Sequence, residues 1–320
     1  MDALLATGRE QAKGESPQLT FQKAYVLAGL AKSLDRTDDA VEFYRAAIKL
    51  RKEQNIPLYT ELGNLLLRAH RYAAAVELFK GALNEKRSTA ERADLLGMLA
   101  RAQLLDGNLK EAIESIDEAL LLEPGDLAHL FDEAWIYSHS RQWDQAITRF
   151  EKLRDMSMDK PRVVRLCQFS LSNIHVQKGD IRKGEEILEK VLIEVPDDPS
   201  VNNDLGYLYA DQGKHLEKAR GMIEKALKAE PDNAAYQDSM GWVLFKLGKP
   251  AEAIPFLEKA VQTPRGTDAT IFDHLGDCQH ALGQKDKAIE NWQKALKDAK
   301  ADKTPDQKLI EMIEEKLKQK

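Results

Sequence analysis

Four residues near the C-terminal end have the side chains that bind metal ions. Asp273, His274, Asp277 and His280 fall within one stretch of helical character. Asp273 and Asp277, four residues apart, share a helix face, whereas His274 and His280 are six apart and point in different directions. A metal site needs its ligands to converge on one point. We therefore predict that the segment binds no metal.

Two other patterns suggest chemistry that their spacing does not support. Segments 206–214 and 241–249 each contain two glycines followed by a lysine. A phosphate-binding loop has four residues between its glycines and a Ser or Thr after the lysine, but here six residues intervene and neither residue follows. Cys167 and Cys278 lack a second Cys or a His at the short spacing of a zinc or redox site, which predicts two small buried thiols.

No catalytic group can be placed by a recognisable motif. The seven histidines are scattered along the chain, so neither a Ser-His-Asp nor a Cys-His arrangement can be argued. We predict a protein that is not an enzyme, with no catalytic residues, no metal and no cofactor.

Charge and hydropathy exclude further classes of protein. The formal net charge is -6, with acidic and basic residues interspersed, which disfavours nucleic-acid binding. No apolar run approaches the roughly 20 residues that span a bilayer, so we predict no membrane insertion. The first 18 residues lack the basic start and apolar segment of a signal peptide. As it stands the chain is expected to be cytoplasmic, or periplasmic or envelope-anchored if a signal was trimmed.

The elements that would position any site come from a repeat. Small residues recur at separations of 34 to 38 residues, at Ala40, Ala75, Ala112, Ala146, Gly184, Ala219, Ala253 and Ala288. Another small residue precedes almost every one of them by twelve, at Ala28, Gly63, Ala100, Ala134, Ser172, Gly241 and Gly276, whereas Gly206 precedes Ala219 by thirteen. Because small side chains let two helix backbones approach closely, each unit is predicted to be a pair of packed helices.

The pattern within a unit resembles the tetratricopeptide repeat, which is marked by large residues, Leu-Gly, an aromatic, a later Ala and a Pro. The second unit carries it as Tyr59, Leu62, Gly63, Ala75 and Phe79. The resemblance covers about residues 21 to 302 and implies an all-α fold, an α-α superhelix of the right-handed solenoid type.

Eight repeats and two terminal segments follow from this register. The repeats are predicted at about 21–54, 56–89, 93–126, 127–160, 165–198, 199–233, 234–267 and 269–302. Residues 1–20 are predicted to be a helical or partly disordered N-terminal segment, and 303–320 a C-terminal capping helix. The fourth and fifth repeats depart from the pattern, with Leu153 and Val191 where alanine is usual.

A second face of each first helix is turned by about 100° from the glycine face. The family resemblance implies that this face, here called the inner stripe, lines the concave groove of a superhelix. In repeats four to seven it combines aromatics with amides and an acid. We predict that Phe131, Trp135, Phe169, Asn173, Asn203, Tyr207, Asp238, Trp242 and Phe245 bind a ligand segment.

Two readings of these aromatics stay open. They can contact a bound peptide, or they can fill the seam between neighbouring first helices. A carboxylate clamp of the chaperone-binding kind is disfavoured because the required lysines are missing from the equivalent positions, which hold Tyr25, Thr60, Gly97, Phe131, Phe169, Asn203, Asp238 and Asp273.

These observations favour an adaptor that binds another protein or a peptide segment in its groove. One alternative is a self-associating structural scaffold, which would be a homo-oligomer. A further alternative is the repeat portion of a larger protein of secretion or envelope assembly, or of an enzyme. The similarity of the last three repeats to bacterial members of the family is weaker than the repeat itself.

Overall fold

The computed structural model describes residues 2–12, 19–51, 56–263, 268–301 and 305–318, and every regular element in these ranges is an α-helix. The all-α prediction is confirmed. The chain divides into an N-terminal body, residues 1–142, and a C-terminal body, residues 143–320, which are described separately.

The N-terminal body is built from three helical hairpins and the helices that flank them. Its helices are α1 (Asp2–Ala12), α2 (Phe21–Ser33), α3 (Thr37–Leu50), α4 (Ile56–Arg68), α5 (Tyr72–Leu83), α6 (Thr89–Leu105), α7 (Leu109–Leu122) and α8 (Leu127–His139). The pairs α2–α3, α4–α5 and α6–α7 form hairpins, and α8 packs on α6 and α7. The N-terminal segment contributes α1, which packs on the first hairpin with Leu5 fully buried. Residues 13–18 of that segment lie outside the described ranges.

The C-terminal body repeats the same arrangement. Its helices are α9 (Trp143–Met156), α10 (Pro161–Gln177), α11 (Ile181–Glu194), α12 (Pro199–Asp211), α13 (Leu216–Ala229), α14 (Ala234–Lys246), α15 (Pro250–Gln262), α16 (Ala269–Ala281), α17 (Lys285–Ala301) and α18 (Gln307–Lys318). Hairpins form from α10–α11, α12–α13, α14–α15 and α16–α17, and α9 packs on α10. The predicted fourth repeat would pair α8 with α9, which belong to different bodies, so its boundaries stay a prediction.

The recurring small residues lie where the two helices of a hairpin contact each other. The seven alanines that recur every 34 to 38 residues are fully buried. Leu153 and Val191, which replace the usual alanine of the fourth and fifth repeats, are buried as well. A methyl group added at Gly241 would lie 2.5 Å from Leu257 Cγ, and one added at Gly276 would lie 2.5 Å from Trp292 Cδ1. Such distances leave no space for a Cβ, so glycine allows the two helices of these hairpins to touch.

Each hairpin turn contains at least one residue with left-handed backbone. In the C-terminal body these residues are Gly179, Gly213, Gly248 and Gly283, all at positive φ. In the hairpin turns of the N-terminal body they are Asp35, His70 and Gly107, and Arg141, which follows α8, also has positive φ. The extra residue of the sixth repeat adds a further left-handed residue, His215, in the predicted turn. Glycine is favoured at such positions because its missing Cβ removes the clash that disfavours positive φ.

The last helix, α18, packs on the end of the C-terminal body. Asp306 caps α18 by accepting hydrogen bonds from the backbone N–H groups of Lys308 and Leu309 at 3.0 and 3.3 Å. Its apolar side buries Ile310 and Ile313, and α18 packs on α17. An apolar face of this kind stabilises a terminal helix by covering the last repeat.

The contact at Ala253 supplies a direct test of the register. Ala253→Leu adds volume to a fully buried position in the α14–α15 hairpin, so the free energy of unfolding should fall by about 1–3 kcal/mol. Ala251→Leu is the matched control, because Ala251 is exposed on the same helix. Urea unfolding followed by circular dichroism measures both variants, and equal midpoints would contradict the assigned register.

Candidate functional site

A cavity of about 1140 Å³ opens among the first helices of the C-terminal body. Its walls are residues of α10, α12 and α14, Leu188 of α11, the start of α16, the loop 230–233, and Thr263 and Asp268. Five predicted site residues line it, namely Phe169, Asn173, Asn203, Tyr207 and Asp238. The inner stripes of three successive hairpins therefore contribute to one concave surface.

Helix α10 contributes an apolar and amide wall. Phe169, Asn173 and Val176 are spaced four and then three residues apart, so they face the same side of the helix. Phe169 is half-buried and Asn173 is exposed, and the Asn173 side-chain oxygen accepts a hydrogen bond from Gln177 Nε2 at 2.9 Å. Ser172 also lines the cavity, but its hydroxyl donates to the Gly184 carbonyl oxygen at 2.9 Å. The accessible groups of this wall are thus an aromatic ring and an amide.

Helix α12 places its polar groups next to one another. Its start is fixed by Asp198, whose carboxylate accepts from the backbone N–H groups of Ser200 and Val201. One turn later, Asn203 Nδ2 donates to Asp204 Oδ1 at 3.1 Å. The Asn203 side-chain oxygen is buried and has no hydrogen-bond partner. Burial usually requires such a partner, so this oxygen marks an unsatisfied acceptor in the cavity wall.

Asp204 was not among the predicted site residues, although it lines the cavity. Its side chain remains accessible to solvent, yet desolvation by the surrounding concave wall raises the pKa of its carboxyl. Tyr207 is half-buried one turn further along α12, and desolvation followed by nearby carboxylates raises the pKa of its phenol. Asp204 follows the inner-stripe residue Asn203 in the sequence, and this position is the one sequence feature that could have indicated it as a site residue.

Trp242 does not line the cavity. Its side chain is only 9% exposed and stacks on His274, with ring centroids 3.9 Å apart and planes 13° apart. Phe245 stacks on it at 5.2 Å, and the indole N–H donates to Asp211 Oδ1 at 3.3 Å. Because α12, α14 and α16 all contribute to these contacts, Trp242 fills the seam between neighbouring first helices. Its contact with a ligand, and that of Phe245, stay predictions.

Asp238 connects the cavity wall to this seam. His274 Nδ1 lies 2.9 Å from Asp238 Oδ1, and both side chains are buried. Desolvation of the imidazole lowers the pKa of His274, but the carboxylates of Asp238, Asp273 and Asp277 outweigh it, so its pKa is raised. The pair therefore joins α14 to α16 at the cavity wall.

The two predicted site residues of the N-terminal body lie on α8. Trp135 is half-buried and stacks on His139, with ring centroids 5.0 Å apart, while the Arg101 guanidinium lies 5.7 Å from the indole centroid. Arg101 also donates to the buried Asp132 carboxylate at 2.6 Å. Phe131 is half-buried on the same helix. The ring of Trp135 is thus partly occupied by side chains of its own body.

Asp273 and Asp277, which carry metal-binding side chain types, form ion pairs with a lysine. Lys316 Nζ lies 2.8 Å from Asp273 Oδ1 and 2.7 Å from Asp277 Oδ1, so this acidic pair holds an ammonium group. Elsewhere in the described chain, Glu123, Asp126 and His129 have potential ligand atoms within 4.8 Å of one another. The Asp126 carboxylate already caps α8 by accepting two backbone N–H bonds. Helix capping therefore accounts for the position of the Asp126 carboxylate.

The cysteines fit their predicted structural role. Cys167 and Cys278 are both buried, and desolvation raises the pKa of their thiols to about 11 and about 12 respectively. A thiol of this kind is not a reactive nucleophile at neutral pH. Among the described helices, none is long and apolar enough to cross a membrane.

The packing of Trp242 predicts a loss of stability on truncation. Trp242→Ala removes a buried indole from the α14–α16 seam and should lower the free energy of unfolding by about 3–5 kcal/mol. Trp242→Phe keeps an aromatic ring against His274 and should lose much less. Urea unfolding separates the two, and an alanine variant as stable as the parent would show that the indole is free to contact a ligand.

The Asp238–His274 pair predicts a pH dependence of stability. Because the folded chain holds the His274 proton more tightly than the unfolded chain, this pair stabilises the fold below pH about 6.5 and loses that contribution as the pH rises through the raised pKa. The free energy of unfolding should therefore decrease more steeply above this pH in the parent than in His274→Gln. Urea titrations at several pH values test this, and parallel profiles would contradict it.

The sequence and the fold were each compared with known proteins. Models of the tetratricopeptide repeat match residues 66–131 and 175–243, 24–54 and 234–265, and 272–300. A comparison with curated proteins gives no match. A tetratricopeptide repeat protein from Parabacteroides merdae ATCC 43184 has a similar fold, with a TM-score of 0.57 and 20% identity over 83% of this chain and 98% of that chain.

A second solved structure, the APC/C hetero-tetramer Cut9–Hcn1, gives a TM-score of 0.58 with 16% identity, covering 87% of this chain and 52% of that chain. At these identities the two structures support the fold alone. The matched repeat models together cover more than half of the chain. The chain therefore belongs to the tetratricopeptide-repeat family.

Proposed function

We propose that this chain is an adaptor that binds a peptide or protein segment in the cavity of its C-terminal body. Tetratricopeptide repeats act in general as scaffolds for protein–protein interaction, and the proposal assigns the contact surface to α10, α12 and α14. The observation that carries it is the convergence of Phe169, Asn173, Asn203 and Tyr207 on one open cavity.

The size and lining of the cavity fit a chain segment. Its volume of about 1140 Å³ exceeds the 300–1000 Å³ that is usual for small-molecule clefts. Aromatic rings provide contact area at a low cost in side-chain entropy, and amide side chains can pair with a peptide backbone. Tyr207 and Phe169 supply the rings, while Asn173 and Asn203 supply the amides.

The polar groups of the cavity support binding better than catalysis. The Ser172 hydroxyl is engaged with the Gly184 carbonyl, and the His274 ring nearby is engaged with Asp238. A hydroxyl nucleophile needs a base within hydrogen-bond reach, and Ser172 is not in that arrangement. We therefore assign the cavity a recognition role.

Peptide selection on the full chain tests this proposal. A phage-displayed library of random short peptides is panned on the parent chain, and the Kd of the selected peptides is measured by fluorescence anisotropy. The double variant Asn173→Ala/Tyr207→Ala removes an amide and a ring from the cavity, so the Kd should rise by about tenfold or more.

A matched control comes from the N-terminal body. Tyr25→Ala/Asn64→Ala removes the same two side-chain types from exposed positions on the inner stripes of α2 and α4. This control should change the Kd by less than about twofold. If the selected peptides bind the cavity variant as tightly as the parent, the cavity is not the binding site. Circular dichroism of each variant verifies that its helices are intact.

A further inference from the structure

The described residues that line the cavity give it a negative charge. Its described lining residues include carboxylates but no Lys or Arg. The acidic members are Asp204, Glu230, Asp232, Asp238 and Asp268. Concave walls with one sign of charge concentrate the field and attract ligands of the opposite charge. The negative field therefore favours a peptide segment with positively charged side chains.

Two of these carboxylates already have a cationic or ionisable partner. Asp238 pairs with His274 at 2.9 Å, and Asp232 lies 2.9 Å from Lys259 Nζ. Their charges are partly balanced within the C-terminal body, so they contribute less to attraction of a ligand.

Two others are engaged with neutral donors near the ends of helices. Glu230 accepts from Asn233 Nδ2 at 2.8 Å, and Asp268 caps α16 by accepting from the Thr270 backbone N–H at 2.8 Å. These bonds satisfy one acceptor on each side chain and fix both carboxylates in place. Their negative charge remains part of the field at the edge of the cavity.

Asp204 differs because the described structure gives it no cation. Its partner there is the Asn203 amide, at 3.1 Å, and the groups that influence its ionisation include no Lys or Arg. Desolvation raises the pKa of this carboxyl, which means that its negative form lacks compensation. A bound cation would supply that compensation.

Asn203 is the second, independent sign of a missing ligand. Its side chain is 6% exposed, and its Oδ1 atom has no hydrogen-bond partner although its Nδ2 is paired with Asp204. A buried acceptor without a donor costs free energy until a donor arrives. Asn203 and Asp204 together thus present adjacent acceptors in a cavity wall whose described residues include no Lys or Arg.

The ring beside this pair suits a cation. Tyr207 lies on the same face of α12 as Asn203, one turn away, and Phe169 lines the cavity from α10. Aromatic faces attract ammonium and guanidinium groups, and apolar walls such as Val176 and Leu208 suit the alkyl part of a long basic side chain.

The same body already binds an ammonium group in this manner. Asp273 and Asp277, on the inner stripe of α16, hold Lys316 from α18 at 2.8 and 2.7 Å. The Lys316 ammonium also lies 6.0 Å from the Trp292 ring centroid. An acidic inner stripe with an aromatic ring nearby therefore accommodates a helical lysine in this chain.

We propose that the cavity selects a partner segment by a lysine or arginine side chain, whose charged end binds at Asn203 and Asp204 beside Tyr207. This inference rests on the proposed function, because it names the chemistry of the segment that the same cavity would bind. The occupant is a basic segment of another protein, and its remaining side chains pack on the apolar wall of α10 and α12.

The test uses three fluorescently labelled peptide mixtures with one common degenerate sequence. Two fixed positions hold lysine in the first mixture, glutamine in the second and glutamate in the third. Anisotropy titrations use the full chain, Asp204→Asn and Asp197→Asn. The last is a charge-matched control, because the Asp197 side chain is 92% exposed and does not line the cavity.

The lysine mixture should bind the parent about tenfold more tightly than the glutamine mixture, and the glutamate mixture should bind least. Asp204→Asn should remove most of this preference, whereas Asp197→Asn should change it by less than about twofold. Equal binding of all three mixtures would overturn the inference. A loss of preference as large in Asp197→Asn as in Asp204→Asn would also overturn it, because the attraction would then belong to the acidic chain as a whole.

The cavity variant Asn173→Ala/Tyr207→Ala separates failure of the inference from failure of the proposed function. If this variant weakens all three mixtures alike and the parent shows no charge preference, the cavity binds peptides and the lysine inference is wrong. If it weakens none of them, or if no mixture binds the parent, the proposed function itself is wrong.

Discussion

The structure depends on the contact between two helices where one of them carries glycine or alanine. At Gly241 and Gly276 a single added methyl would collide with the opposing side chain at 2.5 Å. This contact within a hairpin uses one face of each first helix. The neighbouring face, turned by about 100°, is left to contact the next hairpin or a ligand. Every functional question about this chain is therefore a question about what occupies that second face.

In the C-terminal body the chain itself occupies much of this face. Trp242 and His274 fill the space between α14 and α16, and Lys316 covers the acidic pair of α16. The surface of α10 and α12 is different because it ends in an open cavity. Buried polar groups are usually satisfied, and the unpaired oxygen of Asn203 leaves an unsatisfied acceptor in the wall of this cavity.

The parts of the fold set by short-range sequence could be predicted. The hairpin register follows from small residues twelve apart, which place Gly241 on α14 and Ala253 on α15. The grouping of Phe169, Asn173, Asn203 and Tyr207 was also predictable, because helical spacing alone places them on the same faces of α10 and α12.

The rest depends on partners distant in sequence. Whether Trp242 faces a ligand or a seam is decided by His274, which lies on another helix and is itself fixed by Asp238. Lys316 reaches Asp273 from a helix that lies beyond the last repeat, so its ion pair has no local signal. Asp204 was not predicted because it lies beside the inner stripe and not on it. The cavity is wide enough for this neighbour of Asn203 to line it too.

The left-handed turn residues have a consequence for the strain in the backbone. Positive φ costs a residue with a side chain about 1–2 kcal/mol relative to the right-handed form, and glycine avoids this cost. Among the described residues, Asp35, His70 and Arg141 bear it in the N-terminal body, but only His215 bears it in the C-terminal body. The turns of the N-terminal body therefore hold more of this conformational strain than the turns of the C-terminal body, where glycine relieves it.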